Sequence, residues 1–179
     1  MNPGRPGRPL HGWTLIAADV LISLAWAGSV WAASQVEAGS AVHMVALFLH
    51  LGALVIGLGS VLTIDYYGML WLLGRRSLRQ ALEFAGPLHV PIWTGLAGLV
   101  LSGIALDPDP RAPLTRVKLV LVLLIALNGV HAQALHRTLV GRGGARPPRR
   151  LLVRGVISAV LSQLGWWGAV TIGFLNSQS

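Results

Sequence analysis

Leu47-Phe48-Leu49-His50-Leu51-Gly52-Ala53-Leu54-Val55-Ile56-Gly57-Leu58 is the centre of an apolar run that extends from Val42 to Leu73 and contains one carboxylate, Asp65. A helix needs roughly 20 apolar residues to cross the hydrocarbon core of a bilayer, and this run exceeds that length alone. A membrane barrel would instead show alternating strands of about ten residues, whereas the run is continuous. Four similar stretches occupy residues 13–33 (interrupted by Asp19), 84–106, 117–139 and 152–175. The pattern predicts an all-α integral membrane bundle of five transmembrane helices, forming a single domain over residues 1–179.

Composition agrees. Of 179 residues, 54% are hydrophobic and 11% charged, and the mean hydropathy is +0.65. A soluble domain carries about 25% charged residues, so this chain cannot clothe a globule in polar surface. Disorder requires low hydrophobicity and is excluded by the same numbers. The absence of cysteine removes disulfides, thiolate-bound zinc or iron–sulfur clusters, and covalent haem attachment through CxxCH.

The net charge of +8 does not point to nucleic acid, because the basic residues occupy short gaps between apolar runs. Arg5 and Arg8 precede the first run, and Arg75, Arg76 and Arg79 follow the second. Arg137, Arg142, Arg146, Arg149, Arg150 and Arg154 surround the last connection. Only Arg111, Arg116 and Lys118 fall on the other side, beside Asp107 and Asp109. This distribution predicts a cytoplasmic N-terminus and an outside C-terminal tail, in a bacterial plasma membrane. The partner expected of such a surface is the lipid bilayer, with homo-oligomers left open. The basic start and Val30-Trp31-Ala32 ahead of Ala33 also fit a cleaved signal peptide. Asp19 and the length of the run favour a retained helix, and cleavage would leave four helices in the same orientation. Asp107 to Pro113 reads as a turn-forming, non-helical connection, and 141–150 as a basic cytoplasmic linker.

Ionisable groups are expensive in lipid and are functional candidates by default. His43, His50, His89, His131 and His136 lie in or beside the runs, with Asp19, Asp65, Asn128 and Gln163. His43 and His50 are seven residues apart and share a helical face. His131 and His136 differ by about 140° and face different surroundings. At a rise of about 1.5 Å per residue, His50 lies roughly 12 Å from the outer end of its helix. His131 lies about 21 Å from the outer end of its own, level with His89. Pro91, in Pro87-Leu88-His89-Val90-Pro91, predicts a kinked or unwound helix start there. Trp13, Trp31 and Trp71 sit at expected interfaces, while Trp26, Trp93, Trp166 and Trp167 lie deeper, to pack the bundle or line a flat cofactor.

Facing histidines are how helical bundles hold haem b, and His50, His89 and His131 are the candidate haem-binding residues. His136, beside Arg137, reads as interfacial. Arg75, Arg76 or Arg137 would meet the propionates, although membrane orientation already accounts for these arginines. The segment His50-Leu51-Gly52-Ala53-Leu54-Val55-Ile56-Gly57 resembles the histidine-to-glycine helix of CopD-like copper-resistance membrane proteins and HemJ-type protoporphyrinogen oxidases. Lys118-Leu119-Val120 leading to His131 resembles the lysine-to-histidine helix of the same broad group. The likeness covers the second to fourth helices and implies haem binding at His50 and His131. The Trp that precedes the glycine in the HemJ-type family is Val55 here, and its Tyr-Leu-Pro-Arg segment is absent, so oxidase activity is not implied.

Three functions follow. The first is a haem-b electron-transfer or redox subunit, supplied with electrons by a quinone or a membrane redox partner because no nucleotide-binding motif is present. The second is copper handling at His43, Met44 and His50, since imidazole and thioether suit Cu(I). The third has no cofactor: Asp19, Asp65, His89 and His136 form a proton relay or a hydrogen-bond network. Hydrolytic chemistry lacks HExxH, GxSxG and phosphate-loop motifs.

Overall fold

A computed structural model describes residues 12–36, 38–106, 108–109, 111–142 and 147–176. Arg5, Arg8, Asp107, Pro110, Arg146 and the tail after Asn176 lie outside the described residues, as does part of the 141–150 linker. Five helices follow one another: α1 (Gly12–Ala33), α2 (Ser40–Leu72), α3 (Leu78–Ile104), α4 (Pro113–Val140) and α5 (Arg149–Asn176). Each is long and apolar enough to cross a membrane, and no strand occurs among the described residues. The chain is an all-α, membrane-embedded bundle.

Three helices begin earlier than hydropathy predicts. α3 starts at Leu78 rather than 84, because Ser77 and Gln80 form a reciprocal capping box that satisfies two orphan N–H groups. α4 starts at Pro113, which occupies its first turn; the missing N–H costs nothing there. The connection from Asp107 is therefore non-helical only up to Ala112. α5 starts at Arg149, three residues ahead of its apolar run. Pro87 and Pro91 lie well inside α3, and the segment stays helical through both. The expected unwound start at Pro91 is therefore corrected: the cap lies more than two turns upstream, and His89 sits inside the span.

The packing inverts a soluble protein. Most large aliphatic side chains are exposed on the outer faces, while glycine, alanine and serine fill the contacts between helices. Lipid offers no hydrophobic drive for helix association, so close backbone approach must supply the attraction. α2 and α3 form the most intimate pair: a Cβ on Gly95 would lie 2.6 Å from Gly57 Cα, and one on Gly98 2.8 Å from Ala53 Cβ. α4 and α5 form the second pair, with Gly165 against Ile125 and Gly168 against Leu121. Contact between the two pairs is sparse. Trp166, 2% exposed, is the main filler between them, clustered with Val61, Leu96, Ile125 and Ala126.

α1 buries no residue fully and lies against α3 and α4. Two polar contacts strap it to α4. The Trp26 indole N–H donates to the Leu119 carbonyl at 3.0 Å, and His131 Nε2 donates to Asp19 Oδ2 at 3.1 Å.

Candidate functional site

The loose seam between the two helix pairs opens into two chambers, stacked along the bundle and sharing Trp166, Leu96 and Ile125 as a common wall. The larger, about 560 Å³, lies toward the α1–α2 and α3–α4 connections and is walled by all five helices. Its lining is apolar apart from a few groups, chiefly His50, Lys118, Thr115 and Ser29. The smaller, about 220 Å³, lies toward the arginine-rich connections and is walled by α2 to α5. Typical ligand pockets measure about 300–1,000 Å³, so only the larger chamber approaches the size a macrocycle needs.

His50 is held by a directional chain. The Ser102 hydroxyl donates to the Gly98 carbonyl of its own helix, as a helical serine commonly does. Its oxygen is then left to accept, and His50 Nδ1 donates to it at 2.9 Å. With Nδ1 carrying the proton, the neutral ring bears its lone pair on Nε2. Lys118, half-buried, enters the same chamber from α4, its Nζ near Gly173 of α5.

The small chamber collects Asp65, Asn128, Ser158, Ser162, His89 and His136. Asn128 and Ser158 satisfy each other: the amide donates to the Ser158 carbonyl, and the Ser158 hydroxyl donates to the Asn128 side chain, each at 2.9 Å. Gln163 donates to Asp65 and in turn accepts from the Trp167 indole at 2.9 Å. His136 Nε2 donates to the Leu82 carbonyl at 2.9 Å, and its ring stands edge-on to His89, centroids 5.0 Å apart. His89 Nε2 is occluded and has no partner among the described residues.

These placements set the three candidate haem-binding histidines apart from one another. His50 is separated from His89, which meets His136 in the other chamber, and His131 lines neither chamber. Equal depth did not bring His131 to His89, because its position around α4 turns it toward α1 and Asp19. His136, read as interfacial, is in the small chamber. The signal for it was present: Ile125, Gly129, Ala132 and His136, spaced 4, 3 and 4, form one helical face, and all four line that chamber. The predicted divergence of His131 and His136 is seen.

His43 and Met44 are exposed at the start of α2, about 10 Å of helix rise from His50. Among the described residues, no three His, Asp or Glu side chains gather as a metal site. The two aspartates belong to separate systems: Asp65 lines the small chamber, whereas Asp19 pairs with His131 outside it, its Oδ1 occluded and without a partner among the described residues. The cations expected at the propionates, Arg75, Arg76 and Arg137, do not line the chamber of His50, where Lys118 is the basic residue. No family profile, curated protein or solved structure matches the chain.

Proposed function

We propose that this chain is a membrane haem-b-binding protein that serves as a small electron-transfer or redox subunit. The observation that carries the reading is the Gly98–Ser102–His50 chain at the wall of a 560 Å³ apolar chamber. A hydrogen bond from the far ring nitrogen is how proteins orient a metal-binding imidazole and raise its basicity. His50 would therefore hold the iron through Nε2, and Lys118 would pair with a propionate. Trp166 would close the chamber floor, and Trp26, anchored on Leu119, its α1 side.

When bound, the haem supplies one-electron chemistry at a potential set by its ligand and the low dielectric of the bundle. The protein's part is to exclude water with apolar walls, fix the imidazole tautomer through Ser102 and supply one positive charge. The resemblance of the His50–Gly57 segment to HemJ-type proteins supports haem at His50. Positive charge at the α2–α3 and α4–α5 connections supports a cytoplasmic arginine-rich end and an outside C-terminus in a bacterial plasma membrane. Electrons would then come from a membrane-soluble donor or a redox partner.

The test is haem reconstitution of the detergent-purified protein, followed by oxidised and reduced absorption spectra. A Soret band is expected, lost in His50→Ala and retained in His43→Ala, His89→Ala and His131→Ala. A protein that stays colourless with full haem supply would sink the proposal, as would a band indifferent to His50.

A further inference from the structure

The small chamber makes no demand on the haem reading and has its own chemistry. Its volume, about 220 Å³, is too small for a macrocycle. An apolar cavity of about 150 Å³ admits benzene, so the space suits one substituted aromatic ring. Trp93 and Trp166 contribute flat aromatic surface to its lining, and aromatic rings pack well against such surface in offset or edge-on geometry.

The polar groups say which kind of ring. Asn128 and Ser158 are bound to each other and offer little. Asp65 receives one bond from Gln163, and a carboxylate can accept several more. His136 gives its Nε2 proton to Leu82, which leaves a lone pair on Nδ1 of the neutral ring. His89 Nε2 lacks a partner among the described residues; a buried polar group in that state costs about 1–3 kcal/mol and calls for an occupant or a water. Asp65 and His136 Nδ1 are acceptors, and His89 Nε2 is a third in the tautomer that carries its proton on Nδ1, so the site suits a molecule that donates.

A small cation would also donate, but Arg137 follows His136 directly, and seven further described arginines (75, 76, 79, 142, 149, 150 and 154) cluster at that end of the bundle. Their field opposes a cation at this end. A neutral donor meets no such barrier and arrives through the lipid.

We infer that the small chamber binds the head group of a quinol, its ring beside Trp93 and Trp166 and its hydroxyls donating to Asp65 and the His89–His136 pair. The hydroquinone, with two O–H donors, should bind more tightly than the quinone, which has only acceptors.

Calorimetric titration of the haem-free full chain in detergent with trimethylhydroquinone, and separately with trimethylbenzoquinone, tests this. Saturable one-to-one binding of the hydroquinone is expected, at least tenfold tighter than the quinone. Asp65→Asn should weaken it at least fivefold, and His43→Ala should leave it unchanged. Filling the chamber from either of two helices, with Ala132→Leu or Ser162→Leu, should abolish it in whichever variant keeps wild-type helicity and monodispersity. Non-saturable uptake, equal affinity for both redox forms, competition by tetramethylammonium, or binding that survives a filled chamber would overturn the assignment. His50→Ala should bind hydroquinone normally, so loss of haem and loss of this site are separable results.

Discussion

The proton on His50 Nδ1 is assigned by a neighbour in the last turn of α3: Ser102 gives its own hydrogen to Gly98 and can only receive one from the imidazole. Removing that acceptor in Ser102→Ala takes away the side-chain partner that fixes the tautomer and leaves the Leu99 backbone as the ring's remaining polar neighbour. Outer-shell changes of this kind typically cost about 10–100-fold in metal affinity, so haem affinity should fall by about that factor while the Soret band stays recoverable at excess haem. Spectrophotometric haem titration reads this directly. At the same scale, the Trp26 bond to Leu119 and the Asp19 bond to His131 hold α1 in place. Interhelical bonds in a membrane average about 0.6 kcal/mol. Trp26→Phe and His131→Phe should each lower stability by about that much in reversible detergent unfolding, and His131→Phe should not bleach the haem. The sequence made these residues conspicuous by type, since ionisable groups in an apolar run stand out. It could not pair them, because a pairing depends on how each helix is rotated against its neighbours. The 140° between His131 and His136 was readable from numbering alone; which of the two faced α3 was not.

Helix by helix, the seam between α2 and α3 is set by backbone contact. Gly95 has no room for a methyl group, with Gly57 Cα only 2.6 Å from where a Cβ would stand, whereas nothing lies within 4 Å of Gly52. Gly95→Ala must push the helices apart and should destabilise by about 1–3 kcal/mol, the usual range for overpacking. Gly52→Ala should be neutral or stabilising by up to about 1 kcal/mol, from helix propensity. Thermal unfolding of both variants in one detergent is the comparison. The apolar runs located every helix, because lipid imposes a length and a composition that sequence cannot disguise. They missed the true starts of α3, α4 and α5, since Ser77, Pro113 and Arg149 lie beyond the apolar stretch, and the first two starts are governed by capping and proline chemistry. Pro91 misled for the same reason: with a sound cap upstream, the helix runs on through it.

Across the whole molecule, two tight helix pairs meet loosely, and the gap between them is divided by one side chain. Trp166 is almost completely buried and touches the position a Cβ would take on Gly57, on the far pair. Trp166→Ala should cost about 3–5 kcal/mol, as large-to-small core changes do, and join the two chambers into one. Trp166→Phe should keep the partition at a smaller cost, and the pair of melting curves checks both. Neither chamber could be seen in the sequence, since each is a space bounded by four or five helices whose order around the bundle no periodicity reveals.

A wall shared by two rooms also makes their tenants interdependent. If filling one chamber fixes the Trp166 ring in a single position, the other chamber inherits a wall that no longer has to be ordered, and its occupant binds more tightly; if filling it displaces the ring, the neighbour binds more weakly. Thermodynamic linkage requires the effect to be mutual, so whatever factor hydroquinone imposes on haem affinity, haem must impose on hydroquinone. The sign and size of that one number would describe how the two halves of this bundle communicate.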